Sequence, residues 1–114
     1  MVMDTPESGD TAPTPMEYVL MALCGCTGMD VVSILKKMRK DVRGVSVEAD
    51  AEKATENPKV FVKIHLKFRV EGKGVDAASV EQAVKLSEEK YCSVGGMLRK
   101  VVPITSEFEI VETP

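Results

Sequence analysis

Aromatic residues are scarce in this sequence: they make up 4% of the chain, and tryptophan is absent. The three phenylalanines cannot fill an interior alone, so valine, leucine, isoleucine, methionine and alanine must form most of it. With 114 residues, 44% of them hydrophobic, the chain has the size and composition of one soluble globular domain. We therefore predict a single domain over residues 1–114.

An excess of positive charge is also missing, since 15 lysine and arginine residues face 18 acidic ones and the net charge is −3. Such a chain has no broad positive field, so its composition gives no support to binding of nucleic acid. The chain does not open with a basic segment followed by an apolar stretch and a cleavage site. We therefore expect an uncleaved, cytoplasmic protein.

A hydrophobic run free of polar residues is absent as well. Residues 18–35 approach the length of a short membrane span, but Thr27, Asp30, Ser33 and two glycines interrupt them. We therefore predict a buried core helix at this place and no membrane partner.

Cysteine is limited to three residues, an odd number that does not favour a disulfide framework in a reducing compartment. No CxxC pattern occurs, and a single residue separates Cys24 from Cys26. On a helix, two residues turn the chain by about 200°, so these thiols point to opposite sides. They cannot bind one metal ion or form a disulfide with each other. With one histidine elsewhere, we predict no metal site and no bound cofactor.

Two helices are predicted from their start signals. Residues 1–13 are predicted to be a loop, with at most a short edge strand at residues 1–3. Thr14 can then act as N-cap, and Glu17 can complete a capping box. The first helix should cover residues 15–40. A second helix, capped by Asp76, should end near residue 90, and a short third helix should follow it.

Alternation of apolar and polar residues predicts three strands, at residues 45–52, 60–70 and 104–111. The order of elements indicates an α+β fold with helices packed on one antiparallel sheet. The apolar face of the middle strand should comprise Val60, Val62, Ile64, Leu66, Phe68 and Val70. His65, on the other face, is expected to be solvated or to lie in an interface.

The third thiol, Cys92, lies at the expected start of the short helix, where backbone N–H groups favour a thiolate. Glycines near Cys92 and near Cys26 permit the two segments to approach closely. Two thiols brought together can act as a peroxidatic and resolving pair, through a sulfenic acid that condenses to a disulfide. The alternative is that they simply pack in the core, as free cysteines often do, and packing is favoured for Cys24.

Two segments carry a resemblance to a known family: residues 15–30 (PMEYVLMALCGCTGMD) and residues 89–94 (EKYCSV). They resemble the OsmC/Ohr family of osmotically inducible and organic-hydroperoxide-resistance proteins, and the likeness extends over residues 4–111. The resemblance implies an OsmC-like fold with two long central helices wrapped by sheet in an intertwined homodimer. It also implies reduction of organic hydroperoxides at the dimer interface, with a lipoyl-type dithiol as reductant.

Carried over by position, the resemblance implies that Cys26 is the peroxidatic cysteine and Cys92 the resolving one. The family's catalytic glutamate directly follows the proline of the first helix, where this chain has Met16. Glu17 comes one place later, about 100° around the helix, so it is a weak catalytic candidate and its expected role is capping.

The arginine that holds the reactive thiolate in this family has no aligned position here. The candidates to replace it are Arg39, Arg43, Lys90 and Arg99. Two hypotheses follow: a thiol-dependent peroxidase that defends against oxidative stress, or a non-catalytic dimeric module that binds a ligand or senses redox state.

Overall fold

The structure is a computed structural model that describes residues 13–114. The strand considered at residues 1–3, and all but the last residue of the leading loop, lie outside the described residues. The elements are α1 (Pro15–Lys37), β1 (Asp41–Lys53), β2 (Phe61–Lys73), α2 (Ala77–Leu86), a π-turn (Ser87–Tyr91), α3 (Ser93–Leu98) and β3 (Ile104–Glu112).

Helix α1 begins with the predicted capping box. Glu17 N–H donates to Thr14 Oγ1 over 3.3 Å, and Thr14 N–H donates to Glu17 Oε1 over 3.1 Å. The helix ends at Lys37, before the predicted residue 40, because Arg39 adopts a left-handed conformation with φ of 61°. Lys40 N–H then donates to the carbonyl of Leu35 over 3.0 Å, which closes the last turn.

One stripe of α1 is fully buried and consists of residues four apart, Leu23, Thr27, Val31 and Leu35. Much of the remaining apolar surface is exposed, including Met21 and Met29. By length and composition alone, α1 could cross a membrane, although core helices of soluble proteins also meet this criterion. The helix was predicted to be a buried core helix, but a single chain buries only one stripe of it.

The three strands form one sheet in the order β1-β2-β3. Strand β1 is antiparallel to β2, as predicted, but β3 runs parallel to β2. The chain leaves β2 and passes through α2, the π-turn and α3 before it returns, which is the crossover that a parallel pair needs. The α+β fold class is confirmed, and the expectation of a wholly antiparallel sheet is corrected.

The buried face of β2 follows the prediction only from Ile64 onward. Phe61, predicted outside, is 8% exposed, whereas Val60 and Val62, predicted inside, are exposed. The cause is a register shift opposite the end of β1 that leaves Val62 as an extra residue in β2. Such a bulge transfers the residues before it to the other face.

The second helical segment also differs from the prediction. Helix α2 ends at Leu86, and the π-turn replaces the regular helix that was expected to continue to residue 90. The turn is closed by a hydrogen bond from Cys92 N–H to the carbonyl of Ser87, 2.8 Å long. Cys92 thereby becomes the N-cap of α3, and its side chain enters the core.

Candidate functional site

Three potential ligand or nucleophile atoms converge between α1 and the start of α3. The Sγ atoms of Cys26 and Cys92 and a carboxylate oxygen of Asp30 all lie within 4.8 Å of one another. Cys26 and Asp30 are four residues apart on α1 and therefore share one face of the helix. The structure thus brings together the two thiols that the sequence paired, and both are free.

Cys92 is the more deeply placed of the two thiols, with 4% of the residue exposed. Its Sγ accepts a hydrogen bond from Gly95 N–H over 3.2 Å, which favours the thiolate as the helix-start argument predicted. Burial outweighs that bond: together with a hydrogen bond to Cys26, it raises the pKa of Cys92 to about 11. Cys92 is therefore a protonated thiol at neutral pH.

Asp30 is fixed in place by a partner from the π-turn. The Oγ of Ser87 donates to Asp30 Oδ2 over 2.9 Å, and Ser87 is fully buried. Sequence reasoning missed both residues. The four-residue spacing from Cys26 could have pointed to Asp30, but no local pattern marks Ser87, because its role depends on the tertiary approach of α1 and the π-turn.

Of the four candidate cations, Arg99 is the one whose guanidinium can be placed close to Cys92. A Cβ atom placed on Gly95 would lie 2.9 Å from Arg99 Nη1 and 3.2 Å from Cys92 Sγ, so those two atoms are within about 6 Å of each other. Nη1 also donates to the carbonyl of Glu88 over 2.9 Å. Nη2 is buried and has no hydrogen-bond partner among residues 13–114, but it lies 3.8 Å from Glu88 Oε1 and forms an ion pair with it.

The other three cations have different surroundings. Arg43 donates to the carbonyl of Pro114 and to Asp41, and Lys90 lies over the ring of Tyr91. Arg39 is exposed in the turn that closes α1.

Glu17 and His65 are not brought to the thiols. The bond from Thr14 N–H ties Glu17 to the first turn of α1 and lowers the pKa of its carboxyl. Cys26 comes nine residues later, roughly 13 Å along the helix axis. The ring nitrogens of His65 lie 2.6 Å from Thr105 Oγ1 and 3.0 Å from Glu107 Oε1, contacts that connect β2 to β3.

Cys24 lies on the other side of α1, as the helical rotation predicted. It lines a groove of about 680 Å³ between α1 and β1. Burial raises the pKa of the Cys24 thiol. The other lining residues are Gly25, Gly28, Met29, Val32, Ser33, Lys36, Val45 and Val47.

Comparisons with known proteins agree with this architecture. A family described as OsmC-like protein matches residues 8–107. Protein YhfA of Escherichia coli K12 is 52% identical over 104 residues, which cover 91% of this chain and 78% of YhfA. A hypothetical protein from Aquifex aeolicus VF5 is 32% identical, with a TM-score of 0.86 over 92% of this chain and 79% of that one.

A more distant structure shares the fold. The organic hydroperoxide resistance protein OhrB of Bacillus subtilis is 19% identical, with a TM-score of 0.63 over 90% of this chain and 74% of that one. The family match spans both cysteine segments, and a relative identical at half of its aligned positions covers nine tenths of the sequence. The chain therefore belongs to the OsmC-like protein family.

Proposed function

We propose that this protein is a thiol-dependent reductase of organic hydroperoxides, with Cys26 as the peroxidatic cysteine and Cys92 as the resolving cysteine. The observation that carries the proposal is the separation of their Sγ atoms, which is within 4.8 Å although the residues lie far apart in sequence. Membership of a family whose members include an organic hydroperoxide resistance protein supports the same activity.

In the first step, the Cys26 thiolate attacks the O–O bond of the hydroperoxide. A bond forms between sulfur and the terminal oxygen, the O–O bond breaks, and the alkoxide leaves as an alcohol after it takes a proton. Cys26 becomes a sulfenic acid, oxidised by two electrons. Cys92, with its pKa near 11, keeps its proton during this step and is not the first nucleophile.

In the second step, the sulfur of Cys92 attacks the sulfenic sulfur of Cys26. The S–S bond forms, the S–O bond breaks, and hydroxide leaves as water with the thiol proton of Cys92. The Asp30 carboxylate, within 4.8 Å of both sulfurs and held by Ser87, can take that proton from Cys92 and pass it on to the departing hydroxide. A dithiol then reduces the disulfide and is itself oxidised, which returns both cysteines to the thiol state.

The surroundings of Cys26 favour apolar substrates. Cys26 is half-buried and packs against the hydrophobic core. Hydroperoxides of fatty or aromatic compounds are therefore the proposed substrate class, because their hydrocarbon parts lose contact with water on such a surface.

The exposed apolar side of α1 also supports an intertwined homodimer. Proteins of the OsmC family are commonly dimeric. A single chain leaves Tyr18, Met21 and Met29 exposed on one helix, and a second copy would bury such a surface. We place the proposed activity in the cytoplasm, where thiols are kept reduced.

Consumption of cumene hydroperoxide with a dithiol tests the enzyme proposal. Wild type should turn over, Cys26→Ser should fall to background, and Cys92→Ser should slow and accumulate Cys26 sulfenic acid. Cys24→Ser is the matched control, because Cys24 lies on the opposite side of α1, and it should keep wild-type turnover. Absence of turnover by wild type, or full turnover by Cys26→Ser, would contradict the proposal.

One observation favours a second candidate, a redox-sensing module without turnover. Glu17 comes one position after the place where the family has its catalytic glutamate. It is held in the cap of α1 and not beside Cys26. Mass spectrometry after peroxide treatment separates the candidates. A Cys26–Cys92 disulfide without steady-state turnover supports the sensor, and thiols that stay inert to peroxide contradict both candidates.

A further inference from the structure

We propose that Cys26, Asp30 and Cys92 together form a binding site for a thiophilic divalent cation, with Zn²⁺ as the best fit. This proposal does not depend on the peroxidase activity. It rests on the convergence of two thiol sulfurs and one carboxylate oxygen within 4.8 Å of one another, in a partly to fully buried place.

The donor set has the composition and approximate spacing of a three-ligand zinc site. Zinc binds cysteine sulfur at about 2.3 Å and carboxylate oxygen at about 2.0–2.2 Å, so a tetrahedral ion holds two sulfurs about 3.8 Å apart. Donors within 4.8 Å reach that arrangement by moving about 1 Å or less, which side-chain rotation can supply. Three protein ligands leave a fourth position open for water or a small ligand.

The backbone presents the donors in a way that suits an ion. Cys26 and Asp30 occupy positions i and i+4 of α1, the spacing by which two ligands on a helix reach one metal. Cys92 supplies the third donor from the N-cap of α3. The Ser87 hydroxyl orients the Asp30 carboxylate over 2.9 Å, as outer hydrogen bonds do for metal-binding carboxylates.

The local charge is also compatible with a dication. Two thiolates and a carboxylate carry three negative charges, of which zinc neutralises two. The guanidinium of Arg99 lies within about 6 Å of Cys92 Sγ and, although it also pairs with Glu88 at 3.8 Å, it reduces the effect of the remaining charge. The site was not evident from the sequence, because Cys92 lies far along the chain from Cys26 and Asp30 and no CxxC spacing marks the donors.

Metal binding and disulfide formation compete for the same sulfur atoms. Cysteine binds zinc as a thiolate. A disulfide contains no thiolate, so a cysteine in a disulfide no longer serves as such a ligand. Two-electron oxidation of the thiols by a hydroperoxide would therefore release the ion. The reduced protein would hold zinc and the oxidised protein would not.

Titration of the reduced, metal-free full-length protein tests the site. Zn²⁺ is added in competition with a chromophoric chelator, and Co²⁺ is added separately to record thiolate-to-cobalt absorption. We expect one ion per chain and a thiolate–cobalt band, with affinity lowered more than about tenfold in Cys26→Ser and in Asp30→Asn. Cys24→Ser should bind as wild type does, because Cys24 lies on the opposite side of α1.

Several results would overturn the proposal: no binding by wild type, an equal loss in Cys24→Ser, or a cobalt complex without the thiolate band. Circular dichroism of each variant shows whether it folds, and the conservative Asp30→Asn variant keeps the test decisive if a cysteine variant unfolds. Zinc retained by protein with a complete Cys26–Cys92 disulfide would also contradict the assignment. Failure of peroxidase turnover in metal-free protein bears only on the proposed function.

Discussion

Among single side chains, the two thiols of the site differ in depth and protonation. Cys92 is buried and holds its proton well above neutral pH, because burial disfavours its charged form more than the Gly95 N–H stabilises it. Cys26 lies half-buried on α1. The sequence placed Cys92 correctly at a helix start, but it could not show that the start would be buried.

Alkylation at increasing pH tests this difference. Only the thiolate reacts quickly, so labelling of Cys92 by iodoacetamide should stay slow at neutral pH and rise as the pH approaches about 11. Mass spectrometry identifies the labelled cysteine at each pH, with a small free thiol as reference. Labelling of Cys92 at neutral pH as fast as the reference would show that its proton is not held as described.

Glu17 offers a second test at the residue scale. Its carboxylate accepts the Thr14 N–H, and a neutral amide oxygen can do the same. Glu17→Gln should therefore keep peroxidase turnover and slightly lower the melting temperature. Thr14→Ala, the matched cap variant, should cost about 1 kcal/mol of the free energy of unfolding. Loss of turnover in a well-folded Glu17→Gln protein would instead give Glu17 a catalytic role.

For the secondary-structure elements, local signals were the predictable part. The caps at Thr14 and Asp76 were both read correctly, since a cap is a contact between residues three apart. The bulge at Val62 and the parallel β3 were missed, because each depends on a partner strand that lies far away in sequence. Asp30 and Ser87 were missed for the same reason.

Two adjacent glycines of α3 provide a matched pair for testing its packing. A Cβ on Gly95 would meet Arg99 Nη1 and Cys92 Sγ, whereas a Cβ on Gly96 meets nothing within 4 Å. Gly96→Ala should raise the free energy of unfolding by up to about 1 kcal/mol, because alanine favours helix. Gly95→Ala should be less stable than Gly96→Ala by about 1 kcal/mol, because Cys92 Sγ and the Arg99 guanidinium, which bonds to the Glu88 carbonyl, must both shift.

Chemical denaturation of both variants measures the difference. Equal free energies of unfolding for the two variants would contradict the prediction. They would mean that Arg99 and Cys92 move aside without cost and that the close packing around Gly95 does not stabilise the site.

At the scale of the whole molecule, the single chain does not cover its longest helix. Only one stripe of α1 is fully buried, and Met29 on the same helix is 75% exposed. The apolar character of the helix was evident from the sequence. How little of it one chain covers was not, because that depends on the three-stranded sheet and the small helices that remain to pack against it.

A charge placed on α1 tests the proposed dimer. Met29→Asp should shift a wild-type dimer towards monomer in sedimentation velocity, because a carboxylate buried in an apolar interface loses its hydration. Val101→Asp is the control, since Val101 is 80% exposed after α3. A wild-type monomer at micromolar concentration, or equal dissociation by both variants, would contradict an interface centred on α1.

The π-turn between α2 and α3 also determines the direction in which the residues after it point. A π-turn contains one more residue than the corresponding α-helical turn, so it rotates everything after it by about 100° relative to a continuous helix. Ser87, at the start of the turn, donates to Asp30, and the added rotation lies between this residue and Cys92, which lies within 4.8 Å of Cys26 at the Sγ atoms. Deletion of one residue between Ser87 and Cys92 would therefore rotate Cys92 away from Cys26, although every residue of the site would still be present in the sequence.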